Sequence, residues 1–194
     1  MSVNRHHAAA AAITALRYNG ANLEVALHWL SAWRKGAPPR RHGFNTDALW
    51  HHKPAMMVCG VVKGKSLTCV RGGALLRVAL GFDITNKDLL TLIPRDQRTP
   101  RLDWAWAITE GAITVLYRQF KSKDGSEGLA QGIALPFSGE DSSGGRHFLM
   151  HTNWRPVGTD WIMGNVDVDL KDPSDRRMIS FMTEPEYLPQ AASL

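Results

Sequence analysis

Residues 66–92 of the chain read SLTCVRGGALLRVALGFDITNKDLLTL. The first five residues are rich in β-formers and alternate in character, which predicts a strand. The glycine pair 72–73 interrupts this pattern, because glycine adopts backbone conformations that other residues avoid. The apolar run Ala74–Leu80 then predicts a short helix, and Gly81 suits the left-handed position that ends it.

The end of this stretch carries two further signals. Thr85 and Asp88 have the [ST]-x-x-[DE] spacing of a capping box, which predicts that a second helix begins there. Phe82, directly after Gly81, is placed to fold back on Leu76, as a Schellman stop favours. None of these residues indicates catalysis, so the stretch informs on architecture.

Length and composition limit the class of protein. A chain of 194 residues with 44% hydrophobic and 21% charged residues is typical of one globular domain that needs no disulfide. No apolar run approaches the roughly 18 residues of a membrane span, so we expect a cytoplasmic protein without membrane insertion. The net charge of +5 permits an acidic partner without requiring one. The two cysteines, Cys59 and Cys69, fall in successive predicted strands and are expected to be buried thiols.

The rest of the chain alternates helix and strand signals. Leu23, Leu27 and Leu30 mark one face of a helix over 22–35, for which Asn22 is the expected N-cap. Polar residues 95–101 are expected ahead of a helix that spans 102–110. A short apolar run predicts a buried strand at 56–62, and further strands are predicted at 66–70, 113–120, 129–137 and 146–154. A weaker edge strand is expected near 166–170 and a helix over 173–181.

This order of elements predicts an α+β fold. We expect an antiparallel five-stranded sheet with helices inserted between its second and third strands, preceded by an N-terminal helix and followed by a C-terminal extension. The chain divides into an alanine-rich segment 1–21, a domain 22–155 that includes its leading helix, and an extension 156–194.

An ordered set of short motifs runs through the proposed domain. It comprises Trp29-x-x-x-Trp33-Arg34-x-Gly36, Pro39-Arg40, a turn with Asp47, Gly81-x-Asp83-x-Thr85 with Leu89 and Leu92, Gly111, and Leu135-Pro136. The set resembles the PAS fold and, more narrowly, the short single-PAS proteins of alphaproteobacteria, over roughly residues 22–155. One departure is Asn86, which stands where the resemblance leads us to expect glycine.

The resemblance implies a sensory or regulatory domain. Such domains hold a small ligand non-covalently between the sheet and the inserted helices, or hold none, and pass their state to a separate signalling protein. Many form homodimers through the helix before the first strand. The candidate pocket residues are Leu75, Val78, Leu89, Trp106, Ile108, Tyr117 and Leu135. The candidate partner or dimer residues of the leading helix are Leu23, Leu27, Leu30 and Trp33.

Specific chemistries are disfavoured by the positions of histidine and cysteine. No histidine lies between Arg71 and Phe120, where the resemblance implies an axial haem ligand. Both cysteines fall on predicted strands, so the cysteine chemistry of photoactive flavin domains is not expected. His147 and His151 lie on one predicted strand, about 13 Å apart, which is too far to share an ion.

The other histidines fall in the adjacent pairs 6–7 and 51–52, whose side chains are expected to point in different directions. We therefore expect no metal site. The common hydrolase and nucleotide-binding motifs are absent from the sequence, so no enzymatic activity is expected.

Two alternatives to a ligand sensor remain open. The domain can act as a ligand-free dimerisation or scaffold module. It can also associate with nucleic acid through the basic turn 34–42, using Trp33, Arg40 and Arg41, although the modest charge disfavours this. Trp104 and Trp106 lie on different faces of their predicted helix, so at most one of them lines an internal pocket.

Overall fold

The computed structural model describes residues 6, 7, 9–11, 13, 20–122, 127–156, 166, 167 and 176–180. Its helices are α1 (Gly20–Ser31), α2 (Ala74–Leu80) and α3 (Arg95–Thr109). Residues 6, 7, 9–11 and 13 are also helical. None of the helices in these ranges has the length and apolar character needed to cross a membrane.

The strands form one antiparallel sheet. They are β1 (Met56–Val62), β2 (Ser66–Gly72), β3 (Ala112–Ser122), β4 (Glu127–Glu140), β5 (Arg146–Pro156), β6 (Val166–Asp167) and β7 (Arg176–Ser180). The five long strands follow the order β2-β1-β5-β4-β3, and α2 and α3 are inserted between β2 and β3. The predicted α+β, PAS-like fold class is therefore confirmed.

Gly73 and Gly81, on either side of α2, are each required for a different physical reason. Gly81 adopts φ +77° and ends α2, as predicted. Gly73 has an ordinary φ of −75°, but a Cβ atom there would lie 2.3 Å from the carbonyl oxygen of Pro54 and 2.4 Å from that of Lys53. Gly73 is thus required because another backbone segment passes directly beside it.

The predicted capping box does not form. Asp83 instead accepts a hydrogen bond from the amide of Thr85, and Asp88 accepts one from the amide of Leu90 at the start of a 3₁₀ turn over 89–92. Asn86 adopts φ +60°, a conformation that asparagine tolerates better than most residues, so it can replace the expected glycine. Phe82 is exposed, and Leu76 packs with Cys69 and Ile84 rather than in a Schellman contact.

The helix bounds differ from the prediction at three ends. The segment 95–101, expected ahead of the helix, forms the first turns of α3, with Pro100 inside the helix. Helix α1 ends at Ser31 rather than 35, and the chain turns through left-handed Lys35 and Gly36. Asn22 is not the N-cap, since α1 already includes Gly20 and Asn22 is buried within it.

Two apolar cores lie on opposite faces of the sheet, because strand side chains alternate between the faces. One core contains α1 and the β4 residues Ile133 and Leu135. The other contains α3 and their β4 neighbour Ala134. Ala9 and Ile13 of the segment before α1 are fully buried in the first core.

The described parts of the C-terminal extension add to the sheet at β3. Strand β7 pairs with Ala112–Leu116 of β3, and β6 pairs with its far end at Lys121 and Ser122. The predicted helix over 173–181 is wrong, because residues 176–180 form β7. The predicted edge strand near 166–170 is confirmed at 166 and 167, while 168–170 lie outside the described residues.

Candidate functional site

Helix α1 lies on the face of the sheet opposite α3. Its buried face consists of Asn22, Val25, Ala26, Trp29 and Leu30, spaced as i, i+3, i+4, i+7 and i+8. The indole Nε1 of Trp29 donates a hydrogen bond to the main-chain oxygen of Pro136 at 2.8 Å. This contact fixes the middle of α1 against the end of β4.

A buried hydrogen-bond network fixes the first turn of α1. Nδ2 of Asn22 donates to the main-chain oxygen and to Oε1 of Gln131 in β4, at 2.9 and 3.0 Å. Oδ1 of Asn22 lies 2.6 Å from Nδ1 of His151 in β5. Since Nδ2 supplies both donors to Gln131, Oδ1 is the acceptor, and Nδ1 of His151 must carry a proton.

His151 is neutral in this environment at physiological pH. Its side chain is almost completely buried, and burial, with a smaller contribution from the charge of His52, lowers its pKa to about 4. The Nδ1–H tautomer of the neutral ring matches the acceptor on Asn22. The network is therefore satisfied without placing a charge in the core.

A second polar cluster, formed by Glu24, His51 and His52, lies between this network and the surface. Glu24 of α1 directs Oε2 toward two imidazole nitrogens of the turn before β1: Nε2 of His52 at 2.5 Å and Nε2 of His51 at 3.3 Å. These hydrogen bonds, with His52 first, lower the pKa of Glu24. The ring of His52 is buried and meets His151 edge to face, with centroids 5.1 Å apart.

The geometry of the His51–His52 pair differs from the prediction. The two ring centroids are 4.0 Å apart, and both rings face the same carboxylate instead of pointing in different directions. The donor atoms of Glu24, His51 and His52 all lie within 4.8 Å of one another. Two imidazole nitrogens and a carboxylate oxygen are a donor set that divalent transition metals accept.

The prediction that His147 and His151 lie on one strand is confirmed. His147 and His151 lie four residues apart on β5 and contact different partners. Nε2 of His147 lies 3.5 Å from Oδ2 of Asp141, whereas His151 bonds Asn22. Burial lowers the pKa of His147.

The candidate pocket residues do not converge on one cavity. Leu75 and Val78 are 42% and 51% exposed on the outer side of α2. Ile108 is fully buried in the α3 core, while Leu135 is fully buried in the α1 core, so the sheet separates them. Leu89 and Trp106 are half-buried beside the α3 core, and the side chain of Tyr117 lies outside the described part of the structure.

The space between the sheet and α3 contains tightly packed side chains. The rings of Trp104 and Phe148 meet edge to face with centroids 6.1 Å apart, and Ala105 and Ile108 are fully buried beside them. Trp106 lies at the rim, where the guanidinium of Arg146 is 4.8 Å and the ammonium of Lys63 is 5.3 Å from its ring centroid.

Two clefts lie away from this interior. One, of about 450 Å³, is lined by residues of the turn after α1, the end of α3 and the β4–β5 hairpin, including Arg146. The other, of about 280 Å³, includes Lys53 and Arg71. Neither is lined by a predicted pocket residue.

The candidate dimer residues in and just after α1 do not form one exposed face. Leu27 is 45% exposed and Leu23 is half-buried. Leu30 and Trp33 are buried, and Trp33 meets Trp29 edge to face with centroids 5.3 Å apart. Because Trp33 lies in the core, it is not available to the nucleic-acid alternative, which used it together with Arg40 and Arg41.

The cysteines lie on strands, as predicted. Cys59 of β1 and Cys69 of β2 are directly opposite each other, free and fully buried. Burial raises the pKa of Cys59 well above its usual range and that of Cys69 to about 11. Both thiols are therefore weakly reactive.

The hydrogen bonds of Asn22 and Glu24 were not predicted from the sequence, because their partners are distant in the chain. Asn22 and His151 are 129 residues apart, and Glu24 and His52 are 28 apart. One signal was present: Asn22 is a polar residue in register with the apolar stripe Val25, Ala26 and Trp29. A polar residue on a buried helical stripe indicates a buried partner.

Comparison with known proteins found similar chains among solved structures. No family model matches the chain, and no curated protein matches it. Among solved structures, a PAS domain of an HTR-like protein from Haloarcula marismortui is similar over 56% of this chain and 91% of its own, with 14% identity and a TM-score of 0.35. The LOV domain of the blue-light photoreceptor Aureochrome1, in its light state, is similar over 59% and 90%, with 17% identity and a TM-score of 0.35. A light-oxygen-voltage domain with a flavin analogue is similar over 59% and 85%, with 14% identity and a TM-score of 0.38.

Proposed function

We propose that this protein is a non-catalytic regulatory domain that transmits a signal by changing how α1 lies on the sheet. Its output is carried by a separate protein. The regulatory unit spans 22–155, with 1–21 and 156–194 as flanking segments. The observation that carries the proposal is the buried hydrogen-bond network of Asn22, Gln131 and His151, which joins α1 to two strands of the sheet.

A buried polar network specifies a position more strongly than it stabilises it. Apolar side chains of the same volume are often as stabilising as buried polar or charged groups. Each hydrogen bond of the network, by contrast, has a defined direction and partner. The network therefore holds helix α1 in one register, and an input that breaks one of its hydrogen bonds shifts the balance between docked and released helix.

Release of α1 would uncover an apolar surface. Trp29, Leu30 and Trp33 are buried in the docked state, and tryptophan is enriched among the residues that dominate protein–protein binding. We propose that this surface binds the partner, either a second copy of the chain or another signalling protein. The predicted dimer residues Leu30 and Trp33 are then available only after release.

The proposal places the input at α1 rather than between the sheet and α3. A small molecule in that interior would have to displace the packed rings of Trp104 and Phe148. Native mass spectrometry of protein purified from its own host tests this point. An additional mass that disappears on denaturation and is larger than that of a metal ion would favour a small-molecule sensor instead.

We also propose that the protein resides in a reducing compartment such as the cytoplasm. Cys59 and Cys69 face each other across two strands and are free thiols. Opposed cysteines in an oxidising compartment commonly form disulfides, so free thiols support a reducing one.

Hydrogen exchange measured by mass spectrometry tests the regulatory proposal. We expect the amides of α1 to exchange by local opening, faster than those of β5, and Asn22→Ala to accelerate α1 exchange by about tenfold or more. Leu27→Ala, on the exposed side of the same helix, is the matched control and should leave α1 exchange unchanged. If α1 exchanges only with global unfolding in both the wild type and Asn22→Ala, the proposal is wrong.

A further inference from the structure

We infer that Glu24, His51 and His52 form a binding site for one divalent transition-metal ion of the zinc type. The three donor atoms come from two segments, the first turns of α1 and the turn before β1. They lie within 4.8 Å of one another in the folded chain. The binding inference stands on this geometry and does not depend on the proposed function.

Both histidines present the same nitrogen to the same oxygen. Nε2 of His52 and Nε2 of His51 point at Oε2 of Glu24, at 2.5 and 3.3 Å. In a tetrahedral zinc site the ligand atoms are about 3.3 Å apart, from bond lengths of about 2.0–2.1 Å. The two separations between Glu24 and the histidines therefore need to open by less than about 1 Å to accept an ion, and all three donor atoms already lie within 4.8 Å of one another.

Other aromatic rings pack against both ligand rings. His52 meets the ring of His151 edge to face at 5.1 Å, and Nδ1 of His151 is itself fixed by Asn22. The ring of His51 meets that of Trp50 edge to face at 5.4 Å. These ring contacts restrict the orientation of the ligand rings, so less motion is lost when an ion binds.

The donor set selects the class of ion. Imidazole nitrogen is a preferred ligand of zinc and other late first-row metals, whereas calcium and magnesium prefer oxygen ligands. Three protein ligands leave a position for water, and the exposed side chains of Glu24 and His51 leave the site open to solvent. An ion here would link α1 to the turn before β1, and its effect on α1 release rests on the proposed function.

Titration of the untagged full-length protein with cobalt(II), followed by visible absorption and by competition with zinc, tests the inference. We expect one ion per chain with the intense absorption of tetrahedral cobalt. Glu24→Gln and His51→Gln should each lower the affinity by at least about 100-fold, beyond the 10–100-fold effects of outer-shell changes. Both side chains are exposed, so these variants should fold, and circular dichroism checks this. His52→Gln is a secondary test, because substitution of a buried residue also affects folding.

The other adjacent histidine pair supplies the control. His6→Gln combined with His7→Gln should leave the cobalt spectrum and stoichiometry unchanged. The inference is overturned if the wild type binds no stoichiometric ion, if binding survives in Glu24→Gln and His51→Gln, or if it is lost in the control.

Hydrogen exchange with and without zinc separates the two proposals. Stoichiometric binding with slower α1 exchange supports both the site and the regulatory role of α1. Stoichiometric binding with unchanged α1 exchange keeps the site and contradicts the coupling to α1. If α1 opens locally but the protein binds no metal ion, the proposed function is supported and the metal-site inference is wrong.

Discussion

The indole nitrogen of Trp29 and the main-chain oxygen of Pro136 are joined by a hydrogen bond of 2.8 Å across 107 residues of sequence. This bond links the middle of α1 to the end of β4 inside an apolar core. Removal of the indole donor takes one hydrogen bond away from this main-chain oxygen.

Substitution of Trp29 by phenylalanine therefore costs more than the lost ring area. We expect Trp29→Phe to lower the free energy of unfolding by about 2 kcal/mol, from the lost hydrogen bond to Pro136 and the space left by the smaller ring. Trp50→Phe is the matched control: Trp50 is 73% exposed, and the same substitution should change stability by less than about 0.5 kcal/mol. Urea unfolding measures both, and equal effects of the two substitutions would contradict the assigned role of Trp29.

The stability of the protein depends on pH through His151. Burial, and to a smaller extent the charge of His52, lowers the folded-state pKa of His151 to about 4, below its usual value of 6.5. The unfolded chain therefore binds this proton more readily than the folded one. The stabilising contribution is complete above pH 6.5 and is lost as the pH falls from 6.5 to 4, by at most about 3 kcal/mol.

Urea unfolding between pH 4 and 7.5, with a chelator present, measures this dependence. His151→Gln cannot titrate, so its profile should be flatter than that of the wild type in this window. The buried His147 contributes in the same direction, and the difference between the two profiles isolates His151. Parallel profiles would show that His151 is not the group responsible.

Gly73 is required by a close approach of backbone segments. A Cβ atom at this position would lie 2.3 Å from the oxygen of Pro54 and 2.4 Å from that of Lys53. Since backbone atoms cannot rotate away, Gly73→Ala should destabilise the protein by about 1–3 kcal/mol. Gly43→Ala is the control, because no atom lies within 4 Å of a Cβ there, and thermal melts should show little change. A Gly73→Ala protein as stable as Gly43→Ala would contradict the close approach.

The two cysteines should resist alkylation in the folded state. Both thiols are buried, and burial raises the pKa of Cys69 to about 11. We expect iodoacetamide at pH 8 to label neither cysteine of the native protein within the time that labels both in urea. Mass spectrometry counts the adducts. Rapid labelling of the native protein would show that one strand of the β1–β2 hairpin opens readily.

The sheet was largely predictable because alternating strands leave a local pattern. The apolar run Met56–Val62 was predicted at both ends, and the alternating residues 113–120 lie within β3. The first turns of α3 were missed because their residues are polar and include Pro100, and packing of the following turns overrides that weak local preference. Strand β7 was missed because its conformation depends on pairing with β3, which no local pattern encodes.

The candidate site was not predictable to the same extent. Three leucines of α1 suggested one helical face, but Asn22 and Trp29 define the buried one. A helix with apolar residues over a wide arc gives no unique direction to the core, and the partner surface decides it. The Glu24–His51–His52 cluster depends on that direction, since a rotated α1 would move Glu24 away from both histidines.

The two outer edges of the sheet have consequences for self-association. Cys69 of β2 exchanges main-chain hydrogen bonds with Asn86 and Lys87, and β3 is paired on its outer side by β6 and β7. Unpaired edge strands are templates for intermolecular β-sheet and amyloid-like growth. In the described part of the chain, both edges already carry partners. The edge of the sheet beyond β3 is therefore formed by β6 and β7, and chains that lose these C-terminal strands should expose β3 and be more prone to aggregation.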